Sequence, residues 1–201
     1  MCGILGMSGK LVALDHAVDS LSHRGPDDSG LFLDEASGVG LGHRRLAILD
    51  LTSQGHQPMI SPDGKIVLVF NGEIYNFREL RVDLEAKGFS FRGQSDTEVL
   101  MNLYLAEGEV MLHRLNGIFA FALWDYRNHS LFIARDALGV KPLYYAAIGG
   151  RFAFASEIKA LLYLVPEARE LDVVALQRYL SFLWCPGEGA AQKADRKIKP
   201  G

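Results

Sequence analysis

The 201-residue chain has two cysteines, Cys2 and Cys185, and no CxxC spacing. That excludes a disulfide framework and the paired-cysteine zinc sites. No run approaches the roughly 18 apolar residues of a membrane helix, and the opening MCGILGMSGK lacks the basic start and long apolar stretch of an export signal. A cytoplasmic protein that does not enter a membrane is the expectation. Basic charge is also not in excess: 21 Lys and Arg are interspersed with 24 Asp and Glu, for a net charge of −3. Without a basic stripe, nucleic acid is not expected as a partner, and a small substrate fits better. The phosphate-cradling pattern GxxxxGK[ST] and any internal repeat are missing too. What the chain has is apolar content, 49% of its residues. That suffices for one well-filled core and at most two small ones.

Periodicity orders the elements. Residues 2–8 read as a short apolar strand that begins at the terminus itself. A helical pattern over 15–21, with Leu14, Val18 and Leu21 on one face, runs into the HRGPDDSG loop. Strands are expected over 30–34, 39–49 and 65–70, the last ending at Asn71-Gly72, and helices over 76–87 and 96–106. SDTE at 95–98 has the form of a capping box for the second of these helices. Four strands follow in succession, LNGIFAFALWD, HSLFIARD, PLYYAAI and RFAFASE, then helices at 157–163 and 172–183. This order lacks the alternating rhythm of a parallel sheet, so antiparallel sheets with helices outside are expected, an α+β class. Residues 186–201, PGEGAAQKADRKIKPG, read as a linker or an unfinished connection.

One residue stands out chemically. Removal of Met1 would leave Cys2 with a thiol and a free α-amine, a nucleophile and a general base on one residue. The amine titrates at roughly 7.7 to 8.0 and a free thiol at about 8.5, so near neutral pH the proton can pass from one to the other. A second-position cysteine can equally be a small apolar residue. Cleaving a carboxamide also requires donors for the oxygen that becomes negative, and Asn71 with Gly72 could supply a side-chain amide and a backbone N–H. A hairpin turn is the competing reading of that dipeptide. An amino-acid substrate would need its head groups held. Arg45 or its neighbour Arg44 could grip a carboxylate, and strand alternation lets only one of them face a site. Glu73 and Asp96 could receive an ammonium group, or be a solvated acid and a helix-start acid. His23, His43 and His56 lack ligand spacing, so no metal site is expected. Arg135, Asp136 and Lys141 read as a structural turn with an internal ion pair, and Phe119, Phe121 and Trp124 as sheet core.

Taken together, Cys2, HRGPD (23–27), GHRRLAILDL (42–51), FNGEIYNF (70–77), SDTEVL (95–100), LNGIFAFALWD (115–125), RDALGVKPLYY (135–145) and FASEIKALL (154–162) closely resemble the glutaminase domain of glutamine-dependent asparagine synthetases. These are class II glutamine amidotransferases within the N-terminal-nucleophile hydrolases. The resemblance spans residues 2 to about 183. It implies a four-layer αββα sandwich, two antiparallel sheets between helical layers. Carried over position by position, it implies Cys2 as nucleophile with its own amine as base, and Asn71 and Gly72 as oxyanion donors. Arg45 would hold the glutamine α-carboxylate, with backbone groups of Leu46, Ile48 and Leu49 lining the pocket, and Glu73 and Asp96 would meet the α-amine. The implied reaction yields glutamate and ammonia through a γ-glutamyl thioester. It further implies a glutaminase domain over 2–184 and, from 185, the start of a linker toward an ATP-dependent synthetase domain in cis. That domain's SGGxDS-type loop is absent here, so no cofactor is expected on this chain and ATP and Mg only there. Self-association as a homodimer is a further expectation. Relatives of this architecture amidate other acceptors, such as sugars, peptides or antibiotic precursors, and a catalytically silent binding module is the reading from a different class.

Overall fold

The computed structural model describes residues 1–183, 190 and 192–199. Cys185 and residues 186–189, 191, 200 and 201 of the stretch read as a linker lie outside the described residues. Two antiparallel sheets dominate. The six-stranded sheet has the order β10-β8-β9-β1-β3-β2, built from β1 (Gly3–Ser8), β2 (Asp28–Asp34), β3 (Val39–Arg45), β8 (Tyr144–Ile148), β9 (Arg151–Ala155) and β10 (Asp195–Lys197). The four-stranded sheet runs β4-β5-β6-β7 through β4 (Met59–Ile60), β5 (Ile66–Ile74), β6 (Gly117–Asp125) and β7 (Ser130–Arg135).

Side-chain alternation decides which face each residue covers. In β5, Ile66, Leu68 and Phe70 turn outward and meet Leu80 and Leu84 of α2 (Phe77–Ala86) and Val99, Leu100 and Leu103 of α3 (Asp96–Glu107). The intervening Val67 and Val69 turn inward, where they pack with Ala120, Ala122 and Trp124 of β6 against Ile4, Val39, Leu41 and Phe154 of the other sheet. That sheet's outer face, including Leu5 and Met7, is covered by Val18 of α1 (Asp15–Asp19) and Leu161 and Leu164 of α4 (Ile158–Leu164). Three apolar layers thus separate four layers of structure, αββα, as the resemblance implied. A further helix, α5 (Val173–Phe182), is capped by Asp172, whose Oδ1 accepts the N–H groups of Val174 and Ala175.

Five local expectations are corrected. The strand expected over 39–49 ends at Arg45, and the apolar LAIL run that prolonged it is a loop with Ile48 and Leu49 exposed. The strand expected over 65–70 does not end at Asn71-Gly72, and the competing turn reading falls with it: β5 continues to Ile74, with Asn71 opposite Ala120 and Gly72 opposite Phe119. Glycine is needed there because a Cβ on Gly72 would lie 2.6 Å from the Cα of Phe119. The loop at 136–141 contains no ion pair within salt-bridge distance among the described residues. Buried Asp136 instead accepts the backbone N–H groups of Leu138, Val140, Lys141 and Phe119, so backbone amides and not a cation satisfy the carboxylate. Asp195–Lys197, inside the expected linker, pairs with β8 as an edge strand too short to carry a period. The capping box is half formed: Ser95 Oγ accepts the Glu98 N–H, but the Glu98 carboxylate turns to the N–H groups of Arg92 and Gly93.

Candidate active site

The start of the chain is held on both sides. Ile4 exchanges hydrogen bonds with Ser156, its N–H to Ser156 Oγ at 3.0 Å and its carbonyl from the Ser156 N–H at 2.8 Å. One residue from the end, Arg24 Nε donates to the Cys2 carbonyl at 2.9 Å, and the same guanidinium is anchored by Glu157 at 3.0 Å. The HRGPD segment therefore acts as a clamp. Its Arg24 fixes the Cys2 backbone, and its Asp27 accepts the Ala47 N–H at 2.8 Å, tying down the loop beside the thiol. The Cys2 Sγ lies next to the Leu46 backbone, 3.4 Å from its nitrogen and 3.7 Å from its oxygen. Burial pushes the thiol pKa up, against the lowering effect of the Leu46 backbone and the positive chain terminus. The sulfur at rest is a thiol and needs a base to attack.

A cleft of about 80 Å3 opens on this sulfur. Cys2, Arg45, Leu46, Ile48, Leu49, Asn71, Gly72, Glu73 and Asp96 all line it, so the residues that the resemblance assigns to the site reach one place. Met1 lies in the same cleft, more than half exposed. Alternation along β3 separates the two arginines as expected. Arg45 turns inward and is 9% exposed, whereas Arg44 turns out toward α1, 3.6 Å from Asp19. Arg45 donates through Nη1 to the Thr52 carbonyl at 3.1 Å and through Nη2 to the Asp50 carbonyl, so it folds the 46–52 loop over the cleft with three of its five N–H groups left. Gly55 makes room for it, since a Cβ there would lie 2.6 Å from the guanidinium carbon.

Opposite, Asn71 is almost wholly buried and its Nδ2 has no hydrogen-bond partner. An unpaired buried donor costs about 1–3 kcal/mol, and on a residue that lines the cleft it is available to a bound acceptor. Asp96, at the first turn of α3, accepts the Ile74 N–H at 3.1 Å. Burial, helped by the charge of Glu73, raises its pKa to about 6 in spite of that bond and the Thr97 amide. Glu73 is exposed at the rim of the cleft. His23, His43 and His56 are scattered: His23 pairs with Glu157 at 2.8 Å, His56 with Asp28 at 2.7 Å, and His43 is buried between the sheets.

The cleft also holds residues that the sequence reading left aside. Gln57, Ser95 and Thr97 line it and are buried, as does Lys141 from the 136–141 loop. No local pattern marks the three neutral residues, and Lys141 reads as part of a turn because the GxxxxGK[ST] pattern is absent around it.

Comparison with known proteins now bears on this arrangement. The model of the glutamine amidotransferase domain family matches residues 1–201. Among curated relatives, asparagine synthetase [glutamine-hydrolyzing] 1 of Bacillus subtilis is 41% identical over all of this chain and 33% of its own length. A putative asparagine synthetase [glutamine-hydrolyzing] of Mycobacterium tuberculosis is 42% identical over 94% of this chain and 30% of its own. The chain thus spans about a third of these relatives. The solved glutamine phosphoribosylpyrophosphate amidotransferase of B. subtilis superposes with a TM-score of 0.70 at 22% identity, covering all of this chain and 46% of that one. The structure titled as the allosteric regulatory enzyme of purine biosynthesis gives 0.71 at 24%, with the same coverage. These two likenesses carry the fold alone, a four-layer sandwich. With the family model spanning it from end to end, the chain belongs to the glutamine amidotransferase domain family.

Proposed function

We propose that this chain hydrolyses L-glutamine to glutamate and ammonia with Cys2 as nucleophile, after Met1 has been removed. The freed Cys2 amine takes the Sγ proton, and the sulfur attacks the side-chain carbonyl carbon of glutamine. Negative charge then develops on the carbonyl oxygen, where the Asn71 Nδ2–H and the Gly72 N–H donate to it. The amine returns its proton to the leaving nitrogen, the C–N bond breaks, and ammonia departs from a γ-glutamyl thioester. Water adds to the thioester with the amine again as base, releasing glutamate and the thiol. Arg45 binds the substrate α-carboxylate with its remaining N–H groups, the backbone of Leu46, Ile48 and Leu49 lines the pocket, and Glu73 and ionised Asp96 receive the α-ammonium.

The observation that carries this reading is the unpartnered Asn71 Nδ2 in a cleft that Cys2 also lines. The likeness to glutamine-hydrolysing asparagine synthetases, of which the chain spans about a third, supports a role for it as the ammonia-supplying part of such an enzyme. In that role an ATP-dependent synthetase domain in cis would amidate aspartate, and ATP and Mg would belong to that domain. The test is glutamate release by the Met1-processed chain, with Cys2→Ala as control. Activity is expected to vanish in Cys2→Ala; substantial residual hydrolysis moves the nucleophile elsewhere.

A further inference from the structure

The nucleophile and the oxyanion donors stand on different sheets. Cys2 leads into β1, whose register partner is β3, and Asn71 and Gly72 belong to β5. Both must converge on one carbonyl group, so something has to fix the position of β5 relative to β3 at this point. Apolar packing between the sheets sets their separation, and pairing with β6 holds the Asn71 side of the Phe70–Asn71 peptide, but neither supplies a partner for the Phe70 carbonyl.

That peptide is also where β5 loses a neighbour. β4 pairs Ile60 with Val67 and Met59 with Leu68 and then stops; the next residue is Pro58, which has no N–H to give. Phe70 is left with an N–H and a carbonyl pointing away from β6, both buried. Two side chains replace the missing strand. Gln57 Oε1 accepts the Phe70 N–H at 2.7 Å, and Gln57 is steadied in turn by Thr97. His43, inward on β3 two residues before Arg45, points its Nε2 at the Phe70 carbonyl, 3.1 Å away. A carbonyl only accepts, so Nε2 carries the hydrogen. Nδ1 is then bare and has no partner. Burial pushes the His43 pKa down to about 4, so at neutral pH the ring donates without bringing a charge between the sheets.

We propose that His43 is a positioning residue for the oxyanion hole: its Nε2–H, by holding the Phe70 carbonyl across the gap between the sheets, fixes the Phe70–Asn71 peptide and so the direction of the Asn71 amide relative to Cys2. The carbonyl of Phe70 and the nitrogen of Asn71 share one planar unit, so anchoring the first sets the second and the Cβ that it aims. The inference rests on the glutaminase reading given above. It assigns His43 no proton transfer and no contact with substrate.

Two variants separate this role from general support. In His43→Gln the amide nitrogen reaches the place of Nε2 and can keep the bond to Phe70, whereas in His43→Asn it reaches only the place of Nδ1. Both bury one amide. We expect His43→Asn to lower kcat for glutamine hydrolysis by about 10- to 100-fold, the loss that follows from an angstrom-scale misplacement of a catalytic group. KM should stay within about threefold, because the oxyanion exists only in the transition state. His43→Gln should stay within about threefold of the parent in both. An active parent with His43→Asn unchanged, or with the loss confined to KM, overturns the proposal and leaves the glutaminase reading intact. If His43→Asn does not fold, His43→Gln decides alone: a folded Gln variant that loses more than tenfold in kcat overturns it. A processed parent that releases no glutamate overturns the glutaminase reading, and this proposal with it.

Discussion

Replacing Asn71 by alanine should separate activity from stability. In most buried positions losing an asparagine breaks hydrogen bonds, but the Asn71 Nδ2 is buried and unpartnered among the described residues. Removing that orphan relieves a desolvation penalty of about 1–3 kcal/mol. The atoms removed border an existing cleft, so the new void adds little and the two effects roughly cancel. For a chain of this size 1 kcal/mol moves Tm by about 2–4 °C, so Asn71→Ala should melt within about 4 °C of the parent or above it. Activity should behave otherwise. Loss of one oxyanion donor lowers kcat by about 10² to 10³, equivalent to about 3–4 kcal/mol of transition-state stabilisation. Thermal melting followed by circular dichroism, with steady-state glutamate release on the same preparation, reads both. A kcat within threefold of the parent removes Asn71 from the oxyanion role. A Tm fall of more than about 8 °C means that the amide has a resting partner and that the structural argument is wrong.

Arg45→Ala should raise KM for glutamine at least tenfold and loosen the 46–52 loop, whose Asp50 and Thr52 carbonyls it holds; Arg44→Ala, which loses only an outward contact to exposed Asp19, should change KM less than threefold. An equal effect from both would mean that the alternation of β3 does not decide which arginine binds. Asp96 should make glutamine binding acid-sensitive, since only its ionised form attracts the α-ammonium: KM should climb as pH falls through about 6, and the climb should be absent in Asp96→Asn. The same shift bears on stability with the opposite sense. The folded pKa is raised above the ordinary 3.8, so the native state binds the extra proton, and stability falls as pH rises from about 4 to about 6. Asp96→Asn should remove that slope in denaturant melts, and an unchanged slope would place the titration elsewhere.

Legibility in the sequence followed the range of the forces involved. Strand and helix periods are local, so the long elements from β1 to α5 and the opposite facing of Arg44 and Arg45 could be read from spacing, as could the Ser95 cap of α3. The two-residue β4 left no period, and the choice of Arg45 came from the resemblance. Judgements that depend on a distant segment failed. The LAIL run after Arg45 has strand composition, yet Arg45 and Asp27 bend it into a loop over Cys2. Asn71-Gly72 has turn composition, yet β6 pairs with it throughout, because Gly72 lets Phe119 approach. The Asp136 loop looked like an ion pair because four backbone donors leave no trace in the letters. For the same reason Arg24, which holds the Cys2 carbonyl from 22 residues away, was visible only as part of a motif. Gln57 and His43 serve in place of a strand, and that need becomes apparent only where β4 is seen to end.

The central claim is a processed Cys2 at the end of a pocket that recognises glutamine. Intact mass of the purified protein, taken before and after incubation with the reactive glutamine analogue 6-diazo-5-oxonorleucine, tests both parts at once. The account predicts a starting mass lacking Met1 and a single adduct that maps to Cys2 and is suppressed by excess L-glutamine. A chain that keeps Met1 and takes up no label, or one labelled elsewhere with no protection by glutamine, would contradict it.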